Sequence, residues 1–149
     1  MGVYAERACE LFAKGANCAQ AVFTAFSDVM DMDEELCLKL SSSFGGGMGR
    51  LREVCGAVSG MFMVAGVLYG YGEDDDEKKK AHYALIQSMA KQFTSTHQTI
   101  ICRELLNLPV TVPNPNPTKR TQEFYKARPC IRFVEAAALI MEKVIQENR

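Results

Sequence analysis

Hydrophobic residues recur at the three- and four-residue spacing of an α-helix along most of the chain. In the first such stretch they are Tyr4, Ala8, Leu11 and Phe12, and Gly15 ends the helix. Asn17 is a suitable N-cap for a second helix from Cys18 to about Met30, with a core face formed by Ala19, Val22, Phe23, Phe26 and Met30. A third helix is predicted after Asp31 or Asp33, with three residues facing the core: Leu36, Leu40 and Phe44.

The longest apolar run extends from Val54 to Gly72 and contains no charged residue over 19 positions. Its length approaches the ~20 apolar residues of a membrane span. Its five glycines, one serine and two tyrosines favour instead a buried helix at the centre of the fold. Gly56 and Gly60 are four residues apart and share one helix face, so a neighbouring helix or a flat cofactor could approach closely there.

The second half of the chain shows the same helical spacing with two interruptions. Acidic residues followed by lysines at 73–80 begin a helix whose inward residues are Ala81, Leu85, Met89 and Phe93. We expect a break at residues 95–99 and then a short helix at 100–108, capped by Thr99. Four prolines make residues 109–117 a loop, and a last helix begins near Cys130.

These segments predict an all-α fold of about six or seven helices packed around the central glycine-rich helix. A chain of 149 residues suits one domain, residues 1–149, with the proline-rich loop at 109–117. No segment alternates with the two-residue period of a strand, except at residues 110–112. The content of 48% hydrophobic and 23% charged residues is ordinary for a globular protein.

The net charge of −1 gives no overall attraction to nucleic acid or to an anionic membrane. The basic segment at residues 119–132 is therefore interpreted as a solvated face. The N-terminus lacks the apolar core of a signal peptide, so we expect a cytoplasmic protein without a membrane span. The sequence indicates no particular redox partner, and it leaves a homodimer open.

A glycine-rich loop precedes the central helix and offers a candidate binding site. Backbone N–H groups of such a loop can bind an anion or cofactor, and the alternative is that the glycines only permit a tight turn. The lysine and hydroxyl residue of a P-loop are missing, and no strand precedes the loop. The candidate cofactor-binding residues of the loop and helix are Gly45, Gly46, Gly47, Gly49, Arg50, Gly56 and Gly60.

The six cysteines divide into two groups by their position on the predicted helices. Cys9 and Cys37 lie within helices and are interpreted as small core residues. The other four each fall near a predicted helix start, and they are Cys18, Cys55, Cys102 and Cys130. A helix N-terminus stabilises a thiolate, and Arg128 beside Cys130 acts in the same direction.

Five segments resemble, in the same order, the C-GCAxxG-C-C family of proteins described as redox-active. They are residues 17–21, 44–50, 55–60, 102–106 and 130–134, and the central one reads Cys55-Gly56-Ala57 where the family name reads Gly-Cys-Ala. The resemblance implies a small helical protein with four characteristic cysteines: Cys18, Cys55, Cys102 and Cys130. It also implies a distant similarity to the split-Soret cytochromes, but the C-x-x-C-H of covalent c-type haem is missing.

The resulting hypothesis is a thiol-based redox or electron-transfer protein. Its four cysteines would either exchange dithiol and disulfide or bind an iron–sulfur cluster or zinc through four thiolates. The alternative is a non-enzymatic helical module stabilised by a structural metal or a disulfide. In the dithiol mechanism Cys55 is predicted to be one of the pair and the most acidic thiol, because the glycine loop and Arg50 or Arg52 lie nearby.

Overall fold

The computed structural model describes residues 2–110 and 112–149. Within these residues it contains nine α-helices, one 3₁₀ helix and no named strand, which confirms the predicted all-α class. In chain order the helices are α1 (Val3–Ala13), α2 (Cys18–Ala25), α3 (Ser27–Met30), α4 (Glu34–Ser41), the 3₁₀ helix (Ser42–Phe44), α5 (Gly56–Tyr69), α6 (Asp76–His97), α7 (Cys102–Leu105), α8 (Gln122–Ala127) and α9 (Cys130–Glu147).

Helices α1, α2, α5 and α9 pack against one another and share the core. Its largest fully buried side chains are Phe23, Phe26, Phe93, Met61, Met89 and Met141. Gly56 and Gly60 let α2 approach α5 closely, because a Cβ at either position would lie 3.0 Å from the backbone of Ala19. The shared glycine face predicted from the sequence therefore serves helix packing.

Two details of the first four helices differ from the predictions. The predicted helix from Cys18 to Met30 is interrupted at Phe26, whose N–H bonds to the carbonyl of Phe23 only three residues back. The inward face predicted for α4 is wrong, because Leu36 and Leu40 are each 47% exposed. Asp33 caps α4 as predicted, but the helix turns Cys37 and Ser41 towards the core instead.

The second half of the chain follows the predicted order with different boundaries. Helix α6 ends at His97, within the break expected at residues 95–99, and α7 is shorter than predicted. Helix α8 was not predicted, and together with α3 it raises the number of helices in the described part above six or seven. The loop predicted at 109–117 and the alternation at 110–112 both include Thr111, which lies outside the described residues.

None of the helices in the two described ranges combines the length and the hydropathy that crossing a bilayer requires. Helix α5, from the apolar run that suggested a span, has only 14 residues. Its Ala57, Val58, Met61 and Val64 are fully buried in the protein core.

Candidate functional site

Four of the six cysteines line a single cavity of about 450 Å³. Cys18, Cys102 and Cys130 are the first residues of α2, α7 and α9, and Cys55 is the N-cap residue of α5. The prediction that these four cysteines lie at helix starts is thus confirmed. Cys9 and Cys37 do not line the cavity; Cys37 is buried in the core, and Cys9 is half-buried on α1.

Asn17 fixes the position of Cys18 at the start of α2. Its side-chain oxygen accepts a hydrogen bond from the Gln20 N–H at 2.8 Å, and the Gln20 side chain accepts one from the Asn17 N–H at 3.0 Å. This reciprocal arrangement is a capping box, which satisfies two N–H groups that the helix leaves unpaired. Asn17 also donates to the Ser42 carbonyl at 3.2 Å, so the helix start is tied to the segment before the glycine loop.

Backbone pairing between two short segments positions Cys55 and Cys102. Val54 and Ile101 form an isolated antiparallel bridge. The Cys55 N–H donates to the Ile100 carbonyl at 2.7 Å, and the Cys102 N–H donates to the Glu53 carbonyl at 2.6 Å. The cysteines therefore enter the cavity from adjacent segments although 47 residues separate them in the sequence.

The glycine loop forms part of the cavity wall in an unusual backbone conformation. Gly46, Gly47 and Gly49 have φ values of 64°, 70° and 56°, and three non-glycine residues share this left-handed region: Met48, Arg50 and Arg52. A Cβ on Gly47 would lie 2.7 Å from the Cβ of Cys102. The glycine at position 47 is thus required both for its conformation and for the close approach of Cys102.

Cys18 and Cys130 line the cavity as neighbouring thiols whose ionisations affect each other. The neighbouring Cys18 thiol lowers the pKa of Cys130 to about 7, and the charges of Arg128, Arg120 and Arg52 act in the same direction against burial. The pKa of Cys18 is raised well above its usual value by the neighbouring Cys130 and by burial. Near neutral pH a thiolate therefore forms more readily on Cys130 than on Cys18.

The prediction that Cys55 is the most acidic thiol is wrong. Burial raises the pKa of Cys55 to about 12, although the nearby backbone N–H groups of Val58 and Ala57 act in the opposite direction. Cys55 is only 4% exposed, so desolvation of its thiolate outweighs the effect of those two N–H groups. Burial also raises the pKa of Cys102, and the hydrogen bond from Arg52 at 3.7 Å opposes this shift.

Arginines on three separate segments line the cavity, and only some of them were predicted from the sequence. Arg50 and Arg52 were predicted from the glycine loop, and Arg128 was recognised beside Cys130. Arg120 was missed, because the basic segment at 119–132 was interpreted as solvated. Its guanidinium stacks over the rings of Phe12 and Phe124, 4.4 and 4.7 Å from their centroids. Phe124, four residues after Arg120 in the sequence, was the available sign that Arg120 packs against aromatic rings and is not fully solvated.

The other candidate binding residues separate into two sets. Gly45, Gly46, Gly47, Gly49 and Gly56 line the cavity with Arg50. Gly60 lies one turn further along α5 and contacts Ala19 and Val22 of α2 instead.

Four thiolates are the donor set that zinc and iron–sulfur clusters accept. Within residues 2–110 and 112–149, however, no three Cys, His, Asp or Glu side chains are grouped closely enough to hold a metal ion. The cysteines as arranged therefore fit a pair of neighbouring thiols better than a four-sulfur metal site.

One family model matches most of the chain. It is the model of the C_GCAxxG_C_C family, described as "Putative redox-active protein", and it covers residues 16–144. No curated protein and no solved structure matches the chain significantly. The matched range contains all four cysteines of the cavity.

Proposed function

The chain belongs to the C_GCAxxG_C_C family, and on that premise we propose that it is a dithiol–disulfide oxidoreductase. Cys130 is the attacking thiol and Cys18 is the resolving thiol. The observation that carries this proposal is that Cys18 and Cys130, the first residues of α2 and α9, line one cavity together with arginines from three segments. The lowered pKa of Cys130 agrees with this arrangement. A thiolate with a pKa near the ambient pH is the most effective nucleophile in thiol–disulfide exchange.

The reaction proceeds in two exchanges. The Cys130 thiolate attacks one sulfur of a substrate disulfide, the substrate S–S bond breaks, and the first substrate thiolate leaves and takes a proton. Cys130 is then held in a mixed disulfide. Cys18 loses its proton and attacks the Cys130 sulfur, which forms the Cys18–Cys130 disulfide and releases the second substrate thiolate. The protein has lost two electrons, and the substrate disulfide has gained them.

The first exchange prepares Cys18 for the second. The neighbouring Cys130 thiolate is among the causes that raise the Cys18 pKa. Its effect disappears once the Cys130 sulfur is bonded to the substrate and carries no charge. The Cys18 thiol then ionises more readily at the moment when its thiolate is needed.

Cys55 and Cys102 are less suited to the first attack. Burial raises the pKa of both thiols, so each is protonated at neutral pH. They line the same cavity as Cys18 and Cys130. We assign them to the site as neighbouring thiols that stay protonated during the exchange.

The exchange is tested with fully reduced protein and dithiodipyridine, a neutral disulfide whose released thione absorbs light. The wild type should release a first and then a second equivalent, whereas Cys18→Ser should release the first and retain a mixed disulfide detectable by intact mass. Cys130→Ser should lose the rapid first release. Cys9→Ser is the matched control, because Cys9 lies outside the cavity.

The outcome that contradicts the proposal is equally specific. If Cys130→Ser keeps the rapid release of thione while Cys55→Ser loses it, the attacking thiol is Cys55 and not Cys130. If no variant differs from the wild type, the four cysteines serve a structural role instead.

A further inference from the structure

The wall of the cavity around the thiol pair carries four half-buried arginines from three segments of the chain. Arg50 and Arg52 belong to the glycine loop, Arg120 precedes α8, and Arg128 follows it. No aspartate or glutamate of the described residues lines this cavity. The whole chain is nearly neutral, with a net charge of −1, so the positive charge here is a local concentration.

These guanidinium groups bond to neutral atoms. Arg50 donates to the Asn114 carbonyl at 2.9 Å and to the Thr118 hydroxyl at 3.0 Å. Arg120 donates to the carbonyls of Phe12 and Ala16 at 3.2 and 2.9 Å, and Arg52 donates to the Cys102 sulfur. In the described part of the chain none of the four pairs with a carboxylate.

Several guanidinium groups held close together without carboxylate partners repel one another, unless another negative charge compensates them. Burial lowers the pKa of Arg50, and repulsion from the neighbouring Arg52 and Arg128 acts in the same direction. The Cys130 thiolate supplies at most one negative charge, which is less than the four positive charges that surround the cavity. An anionic ligand would supply the compensation that no carboxylate of the described residues provides here.

From this arrangement we infer that the substrate disulfide is a small acidic molecule, one that carries carboxylates or comparable anionic groups beside its sulfur atoms. The inference rests on the proposed function and specifies its substrate class. The cavity volume of about 450 Å³ suits a low-molecular-weight ligand. Cys130 is only 9% exposed, which favours a small disulfide that enters the cavity over a disulfide on the surface of a folded protein.

The arginines and the apolar residues of the cavity wall would bind different parts of the ligand. Guanidinium groups bind carboxylates through two parallel N–H···O bonds, so they fix the anionic ends of the ligand. Phe12, Leu105, Phe124 and Phe133 line the same cavity and suit the methylene groups between those ends and the sulfur atoms. The anionic groups take no part in the exchange and leave unchanged with the two product thiols.

The test compares three disulfides of similar size and different charge with fully reduced protein. They are dithiodipropionate, which is anionic, hydroxyethyl disulfide, which is neutral, and cystamine, which is cationic. Each rate is divided by the rate of the same disulfide with a small reference thiol, so that intrinsic reactivity cancels. We expect the anionic disulfide to exceed the cationic one by on the order of tenfold or more at low salt. This preference should decrease with added salt.

Variants identify the arginines as the cause. Arg50→Gln should reduce the preference for dithiodipropionate, whereas Arg50→Lys, which keeps the charge, should retain most of it. Arg103→Gln is the matched control, because Arg103 lies outside the cavity and its guanidinium is 4.0 Å from the Glu53 carboxylate. Circular dichroism of each variant checks that the helices are intact.

Two failures are distinguishable. Equal normalised rates for all three disulfides, or an unchanged preference in Arg50→Gln, would overturn the charge selection and leave the dithiol mechanism standing. Failure of every disulfide to oxidise the Cys18–Cys130 pair would overturn the proposed function, and the substrate class with it.

Discussion

Cys18 and Cys130 occupy the same position, the first residue of a helix, yet only Cys130 ionises near neutral pH. The N-terminal N–H groups of a helix favour a thiolate in both cases, so they do not explain the difference. The difference comes from the mutual influence of the two neighbouring thiols and from the arginines near Cys130. Once Cys130 carries the charge, a second thiolate beside it is unfavourable, and Cys18 keeps its proton.

Removal of the Cys18 donor should therefore make Cys130 less acidic. In the wild type the rate of Cys130 alkylation by iodoacetamide should rise with pH around a midpoint of about 7. In Cys18→Ala the midpoint should move towards the ordinary thiol value of 9.0, because the largest cause of the lowered pKa is lost. Cys18→Ser keeps a hydrogen-bond donor and should show a smaller shift. Peptide mass spectrometry of the alkylated protein gives the rate for each cysteine.

A merely structural role for Cys18 predicts a different pattern. In that case both substitutions would alter stability and leave the midpoint of Cys130 alkylation unchanged. Cys55 provides an internal reference, since its raised pKa predicts almost no alkylation of native protein in the same pH range.

At the scale of the elements, the glycine loop and the short segment before α7 hold the cavity together. Gly47 has a left-handed φ of 70°, and a Cβ there would also lie 2.8 Å from the Glu53 nitrogen. Gly47→Ala should lower the free energy of unfolding by about 2–4 kcal/mol, from the conformational penalty and the displacement of Cys102. Urea denaturation measures this change.

Gly66→Ala is the control for that substitution. Gly66 lies within α5, and no neighbouring side chain or backbone of another element lies within 4 Å of a Cβ at this position. Alanine there should raise the free energy of unfolding by about 0.5–1 kcal/mol, because glycine is the poorer helix former. Equal effects at both positions would show that the loop has no special backbone requirement.

Periodicity and capping residues predict the helices well wherever a helix contributes a continuous apolar face. Asn17, Asp33 and the start of α9 at Cys130 are examples. The predicted core face of α4 failed because that helix is short and lies at the edge of the core, so Leu36 and Leu40 face solvent. Helix α8 carries no fully buried residue, and its sequence therefore contains little helical periodicity.

The four cavity cysteines were recognised in the sequence because each lies near a helix start. That Cys130 is the one acidic thiol among the four was not predictable from position alone. Burial depends on how α2, α5 and α9 pack, and the charge near Cys130 depends on arginines from three separate segments. For Cys55 the helix start and its N–H groups favour a thiolate, but burial in the surrounding core raises the pKa.

At the scale of the whole molecule, buried thiols make stability depend on alkaline pH. Cys55 is protonated in the folded protein up to a pKa of about 12, whereas the thiol of the unfolded chain ionises near 9.0. Between these values the unfolded state binds fewer protons, so the free energy of unfolding decreases as the pH rises. The loss is about 1.4 kcal/mol per pH unit for each such thiol.

Cys55→Ser should remove the contribution of this residue, because serine does not ionise in that range. Above pH 9.0 the slope of the unfolding free energy against pH should become less steep by about 1.4 kcal/mol per pH unit, which corresponds to one proton. Denaturation curves under reducing conditions at several alkaline pH values measure it. An unchanged slope would mean that the Cys55 thiol ionises equally in the folded and the unfolded protein.

The pairing of Cys18 with Cys130 is the central claim, and disulfide mapping of the oxidised protein tests it most directly. Reduced protein is oxidised with a stoichiometric disulfide, the remaining thiols are alkylated at acidic pH, and the peptides are identified by mass spectrometry. We expect the Cys18–Cys130 disulfide to form first, while Cys9, Cys37, Cys55 and Cys102 are recovered alkylated. A first disulfide that joins Cys55 to Cys102, or alkylation of both Cys18 and Cys130 after complete oxidation, would contradict it.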